Sequence, residues 1–448
     1  MMDGVWQDIQ EVFFSEQTLK WKYRYFYDAL HRVCIEKTEG LPAEYNDFFS
    51  RLQAVCRLTN YPLHAVDTFR WRARQVSYMG MDVDEHTFLA DMRVFVDALA
   101  HFTHTPIPDV LKGKLPDVEA LPIPRDRIER MARQKRVRFT VERVEEPYIE
   151  AFSREFPSDE PFRVDVTANQ HTLVAAQLLK PGMQFNALSF TIDKEGIYHP
   201  LYIVVEPDFL LDTTSVTGCI KGWGESAFNH FSAKFKPSES TVHTLLGDFA
   251  NQFLDDILNL QDANYLDSMH KVFADRAIDI CACPEIDASF FDETQKQFAH
   301  IQQVVRELEQ QPYMHKGKVN IHIEPSFFCE ALGLQGRMDC LIDLDDEGKE
   351  FLIELKSGKW DEYRNRAKEE HLMQMLLYKE ILYYNTGVKQ TDVMGNLLYS
   401  KYPRLQEQRS YQEMVLRALN IRNAIVALER GLLEGEARQC VPKLTPEA

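Results

Sequence analysis

Apolar residues near the start of the chain recur at a helical spacing. Val5, Ile9, Val12 and Phe13 make one stripe, and Phe88, Met92, Phe95 and Leu99 make another, so residues 1–104 are expected to form a helical domain. Prolines at 106, 108, 116, 122 and 124 deny residues 105–134 a regular helix or sheet ladder, which predicts a linker with a short basic helix starting near Asp126. The pattern then turns to short β-rich runs at 136–144, 162–167, 171–178, 184–192 and 201–205, with turns at Pro181-Gly182 and Lys194-Glu195-Gly196. Strands this short predict a small β-barrel of the OB type over 135–212, either binding single strands or acting as a structural spacer. Residues 213–318 return to the helical period. It is strongest over 241–258, where Leu245, Leu246, Phe249, Phe253, Leu254 and Ile257 share a face, and a second long helix covers 290–311.

From residue 319 the period is two. Val319-Asn320-Ile321-His322-Ile323-Glu324 alternates as a half-buried strand should. Strands over 336–342 and 351–356 follow, joined by a hairpin turn at Asp345-Asp346-Glu347-Gly348. The second of them, Phe351-Leu352-Ile353-Glu354-Leu355-Lys356, is apolar enough to be buried on both faces. A helix over 369–384, a strand over 393–400 and a helix over 411–433 close the pattern. The predicted fold class is therefore α/β. A mixed sheet flanked by helices spans 213–448, after the barrel and the N-terminal helical domain.

Candidate chemistry concentrates on that sheet. Asp339 and Glu354 fall on paired strands joined by a tight turn, which can bring two carboxylates together at a sheet end. Close carboxylates repel, so they share a proton or hold a cation, and hard oxygen ligands suit Mg²⁺ or Mn²⁺. Lys356 lies two residues past Glu354 and points to the same face. A lysine beside such a site can orient water and stabilise the charge on a pentavalent phosphate. This spacing also arises by chance in strands that carry surface ion pairs. Three neighbours set it apart: Gly336 just before the acid, Gly358 just after the lysine, and His371, Gln374 and Tyr378 at i, i+3 and i+7 on one helical face.

Composition narrows the class. The chain of 448 residues is long enough for two to four domains, with 45% hydrophobic and 27% charged residues, as in globular domains with sizeable cores. No apolar run reaches the roughly 18 residues of a membrane span, and the N-terminus lacks the marks of a secretory signal, so a cytoplasmic protein without a membrane partner is expected. The 8 cysteines contain no CxxC pair and are expected to be reduced thiols. A net charge of −18 argues against coating nucleic acid through overall charge, but not against gripping it locally. Lys20-Trp21-Lys22-Tyr23-Arg24-Tyr25-Phe26-Tyr27 and Phe69-Arg70-Trp71-Arg72 interleave cations with aromatics. Either they stack single-stranded bases, or their aromatics are core and their cations solvated.

Four motifs together resemble the RecB-like branch of the PD-(D/E)XK nuclease superfamily, nearest to the nuclease modules of flap-trimming replication helicases. They are the upstream Glu324, the GLxGxxD pattern in Gly333-Leu334-Gln335-Gly336-Arg337-Met338-Asp339, the ELKxGK pattern in Glu354-Leu355-Lys356-Ser357-Gly358-Lys359, and the HxxQxxLY pattern from His371 through Gln374 to Tyr378. Pro207-Asp208-Phe209-Leu210-Leu211 and Thr214-Ser215-Val216 are similar to the passage from the family's barrel into its nuclease, and the likeness covers roughly residues 135–430. The resemblance implies a restriction-endonuclease-like core and a divalent-metal-dependent deoxyribonuclease acting on single-stranded or end-containing DNA. It makes Asp339, Glu354 and the backbone carbonyl of Leu355 ligands to Mg²⁺ or Mn²⁺, and Lys356 the catalytic lysine. Glu324, Asn251, His371, Gln374 and Tyr378 become supporting or substrate-binding residues. The family's GxxxH helix corresponds here to Gly247-Asp248-Phe249-Ala250-Asn251, so Asn251 stands where a metal-binding histidine is usual, with Asp248 or Asp255 as possible compensation. Cys219 and Cys440 do not reproduce the family's cluster-binding cysteines, so no iron–sulfur cluster is expected. No GxxxxGK[ST] motif occurs. A helicase motor would therefore lie in a longer protein or a separate subunit, or would not be needed. The other reading is a nucleic-acid-binding module on a nuclease fold whose catalysis is weak or lost.

Overall fold

The computed structural model describes residues 5–433 apart from 42–44, 46, 118–119, 122–135, 157, 223, 237–239, 261, 316–318, 345–347, 364–365 and 410. The basic helix expected near Asp126, residues 345–347 of the expected hairpin turn, and Cys440 lie outside the described residues. The architecture is mixed α/β, in two compact units, Met1–Glu206 and Pro207–Ala448. Among the described residues, no helix is long and apolar enough to cross a membrane.

The first unit opens with helices α1 (Val5–Phe14), α2 (Leu19–Thr38), α3 (Phe48–Thr59), α4 (Leu63–Tyr78) and α5 (Glu85–Thr103). Side chains start three of them. Thr18, Asp47 and Asp84 accept backbone N–H groups of the first turns, supplying partners that a helix N-terminus otherwise lacks. Tyr23, Phe26, Leu30 and Val33 then fall on one buried face of α2, against Phe69 of α4 and Phe88 and Phe95 of α5. The short α6 (Asp109–Lys112) lies in the proline-rich stretch, and its Leu111 joins the same core, as does Leu115. The Phe69–Arg72 stretch is core throughout. Arg70 pairs with Asp67, and Arg72 with Asp91.

Seven strands follow: β1 (Arg136–Glu145), β2 (Tyr148–Ser153), β3 (Phe162–Asp165), β4 (Gln184–Leu188), β5 (Thr191–Ile192), β6 (Tyr198–His199) and β7 (Tyr202–Val205). They form one mixed sheet in the order β5-β6-β3-β2-β1-β4-β7. β6 pairs in parallel with β3, while β7, three residues on, pairs antiparallel with β4. One stretch of chain thus touches both sides of the sheet, which must curl around its apolar face. The strand expected at 171–178 is instead helix α7 (Gln170–Ala176). Its β-branched Thr172 and Val174 suggested a strand, but Asn169 caps a helix there and Ala175 and Ala176 pack into the sheet core.

The second unit begins with β8 (Leu211–Asp212) and α8 (Thr213–Thr217), then the small hairpin of β9 (Ile220–Lys221) and β10 (Gly224–Glu225). Helices α9 (Phe228–Phe235), α10 (Val242–Asn259), α11 (Tyr265–Ala282) and α12 (Ala288–Glu309) come next. Strands β11 (Val319–Ile323), β14 (Cys340–Leu344), β15 (Lys349–Lys356), β16 (Val393–Tyr399) and β17 (Leu405–Glu407) form a mixed sheet in that spatial order, with β15 and β16 parallel. β12 (Ser326–Cys329) pairs antiparallel with β13 (Leu334–Arg337), and β13 pairs in parallel with β8, in a second, three-stranded sheet. Helices α13 (Glu369–Thr386) and α14 (Gln412–Leu433) complete the unit.

The two-residue period of β15 sorts its side chains. Phe351, Ile353 and Leu355 join a core with Leu245, Phe249 and Phe253 of α10 and Phe298 and Ile301 of α12. The alternate positions, Glu354 and Lys356 among them, face the side covered by α13, where Met375 lies against Gly395 of β16. This places charged side chains inside a strand buried on both faces.

Candidate active site

Asp339 lies where the chain leaves one sheet for the other. The stretch 336–342 was expected to be one strand, but β13 ends at Arg337 and β14 begins at Cys340. Cys340 pairs with Ile353, which sets Asp339 beside Glu354. The Leu355 N–H donates to Asp339 Oδ2 at 2.6 Å, fixing the carboxylate against β15. Lys356 Nζ is 2.7 Å from Glu354 Oε1 and 2.9 Å from Gln374 Oε1. Gln374 Nε2 in turn donates to the Tyr378 hydroxyl at 3.1 Å, and that hydroxyl donates to the Arg337 carbonyl at 2.9 Å. The chain of contacts therefore runs from strand to helix and back to the residue two before Asp339.

Two glycines make this possible. A Cβ on Gly336 would lie 2.7 Å from the Tyr378 ring, so only glycine lets the ring close over β13. Gly333 has a φ of +60° and meets the guanidinium of the fully buried Arg422. Arg422 donates to the carbonyls of Gly333 at 3.2 Å and Phe209 at 2.6 Å, tying the turn before β13 to α14.

The electrostatics are unfavourable for two free carboxylates. Glu354 is 2% exposed, and its Oε2 is buried without a hydrogen-bond donor. Burial first, then the adjacent Asp339 charge, push the Glu354 carboxyl well above the ordinary carboxylate range, and burial raises Asp339 as well. Asp255, one helical turn beyond Asn251 on α10, is lifted to about 6 by burial and by the charges of Glu324 and Asp339. A pair of buried acids with one orphaned oxygen and a lysine alongside fits either a shared proton or a hard cation. Among the described residues, no group of three or more His, Cys, Asp or Glu side chains could hold a metal ion, so the fit rests on the two carboxylates and backbone oxygens.

The pair opens on a cleft of about 380 Å³, lined in part by Asn251, Asp339, Glu354, Leu355, Lys356, Gln374 and Tyr378. These seven expected site residues are brought together. Glu324 and His371 do not line the cleft. Glu324, at a φ of +49°, pairs with Arg337 at 3.1 Å. His371 was expected on the same helical face as Gln374 and Tyr378, but its Nδ1 lies 3.0 Å from the Tyr399 hydroxyl. Burial, aided by the Lys356 charge, lowers His371 to about 3, so it is a neutral partner of Tyr399. Asp212, Thr213, Thr214, Arg337 and Ser357 also line the cleft, although none was among the expected site residues. Their signal was slight: a polar run between Leu211 and Val216, and residues inside motifs read for their neighbours.

No protein-family model matches the chain, and no curated protein matches it.

Proposed function

We propose that the chain is a divalent-metal-dependent deoxyribonuclease for single-stranded or end-containing DNA, with a restriction-endonuclease-like core in the second unit and an OB-like barrel in the first. The observation that carries this reading is the buried Asp339–Glu354 pair, with its orphaned Oε2, beside Lys356 in an open cleft. Mg²⁺ or Mn²⁺ held by Asp339, Glu354 and the Leu355 carbonyl would supply Lewis-acid activation of water and of the scissile phosphate. The chain's own residues do the rest. Lys356 offers an ammonium group to a non-bridging phosphate oxygen and offsets the charge gained in the transition state. Gln374 holds Lys356 in place, and Tyr378 holds Gln374 against β13. The curled sheet of the first unit, with β6 and β7 pairing to opposite sides, supports the OB-like reading. A helicase domain or subunit is the partner this reading anticipates.

Glu354→Ala and Lys356→Ala are each expected to reduce Mg²⁺- or Mn²⁺-dependent cleavage of end-labelled single-stranded DNA by about 100-fold or more, with an unchanged circular dichroism spectrum. Wild-type cleavage in both variants rejects the assignment. Labels at the 5′ and 3′ ends read the polarity in the same assay.

A second reading rests on Asn251. It lines the cleft where the resemblance anticipates a histidine, and an amide is the weaker ligand for a transition metal. The chain would then bind nucleic acid on a nuclease fold with little turnover. Tight DNA binding without divalent ions and without cleavage favours this reading.

A further inference from the structure

The first unit gathers arginines around one tyrosine. Tyr27 of α2 meets Tyr78 of α4 edge-on, with ring centroids 6.0 Å apart, and the Arg24 guanidinium lies 5.5 Å from the Tyr78 ring centroid. Arg70 and Arg74 of α4 and Arg154, just past β2, act electrostatically on the Tyr27 phenol. Arg70 Nη2 also donates to the Arg154 carbonyl at 3.1 Å. Arg154 is close enough to Arg138, Arg70 and Arg74 for their repulsion, added to burial, to lower its pKa.

Acids offset this charge only in part. Asp67 pairs with Arg70, Asp47 lies 3.5 Å from Arg154, and Glu155 accepts the backbone N–H of Arg138. Asp28 acts on His31, on the next turn of α2. Among the described residues, neither Arg24 nor Arg74 has a carboxylate within ion-pair distance. Such a cationic surplus in a chain of net charge −18 calls for an anion. Guanidinium forks match phosphate oxygens, and Tyr78, 50% exposed, offers a face to a planar ring.

We propose that this cluster is a phosphodiester-binding site for single-stranded nucleic acid, with Arg24 and Arg74 on phosphates and Tyr78 beneath a base. The site rests on the nuclease reading for the class of its ligand, and its binding step needs no turnover.

The test is fluorescence anisotropy of a labelled single-stranded oligodeoxynucleotide with the full chain in EDTA. Arg24→Glu with Arg74→Glu is compared with Lys114→Glu and Lys194→Glu, which change the charge equally at other exposed positions. The arginine pair is expected to weaken binding about tenfold relative to that control. It also flattens the dependence of log affinity on log salt by about 1.4, since each phosphate contact on a single strand contributes about 0.7. Tyr78→Ala is expected to weaken binding about fivefold with the salt slope unchanged, as stacking loss requires. If the arginine variant melts early, Arg24→Gln with Arg74→Gln gives the same reading with less disturbance. Binding equal to the control overturns the site, and tighter binding of a duplex overturns the single-strand assignment. Loss of cleavage in Glu354→Ala with binding intact, or a wild type that binds without cutting, bears on the cleft alone and leaves this result separate.

Discussion

Two networks of buried charge, one in each unit, are built in opposite ways. In the first, Asp91 accepts from Arg72 and, at 2.7 Å, from the Tyr23 hydroxyl, while Arg72 Nη2 reaches the Leu121 carbonyl at 2.8 Å. One negative group meets one positive group, and the remaining donors find oxygens. In the second, Asp339 and Glu354 share a single lysine, and Glu354 Oε2 has no donor. The first arrangement is complete without a ligand and serves the core. The second is complete only with a proton or cation added, as expected of a functional site, where buried like charges are kept for what they bind.

Removing the basic partner should expose this contrast most strongly. Arg72→Met leaves Asp91 buried without its cation and is expected to cost about 3–5 kcal/mol in urea unfolding of the first unit. A loss below about 1 kcal/mol would mean that this network is not a closed core element. The opposite sign is expected at Glu354. Glu354→Gln removes one of two like charges, so the metal-free second unit should gain about 1 kcal/mol at pH 8. The wild-type carboxyl is raised from 4.5 to about 8 on folding. The folded state therefore holds its proton more tightly than the unfolded chain, and stability must fall as pH rises through that window. Thermal melts in EDTA across it should show a downward slope in the wild type that Glu354→Gln flattens, and Mg²⁺ or Mn²⁺ should restore stability at the alkaline end. Parallel slopes in both proteins would show that the pair is not strained. The smallest effect is Tyr378→Phe. It loses the bonds to Gln374 and the Arg337 carbonyl, costs about 1 kcal/mol in stability, and lowers kcat about tenfold with KM unchanged. A change in KM alone would make Tyr378 a substrate contact rather than a support for Lys356.

Much of the second unit was legible in advance because its signals are local. The apolar run of β15, the helical face of α10 and the Glu354–Lys356 spacing depend on residues a few positions apart, where backbone geometry fixes which side chains share a face. The miss at Gln170–Ala176 was also local in origin. Thr172 and Val174 favour a strand, but the cap at Asn169 and packing of Ala175 and Ala176 overruled them. The split of 336–342 into β13 and β14 had no local signal, because each half is defined by partners elsewhere in the chain. His371 shows the limit of helical spacing. A residue on the right side of a helix is still taken by a nearer partner where one exists, here Tyr399.

By itself the sequence determined the element types over most of the chain, the α/β class, and an acid, an acid and a lysine set to meet at one sheet end. Period and spacing carry that information, since 3.6 and 2 residues per repeat are properties of the backbone. Tertiary structure alone decided whether those charges would be solvated or confined. Burial between α13 and the sheet leaves Glu354 Oε2 without a donor, and the Gln374–Tyr378 relay holds Lys356 in place. It also decided that Phe69–Arg72 is core while Arg24 and Tyr78 meet in exposed positions, a distinction that depends on which residues from distant segments arrive beside them.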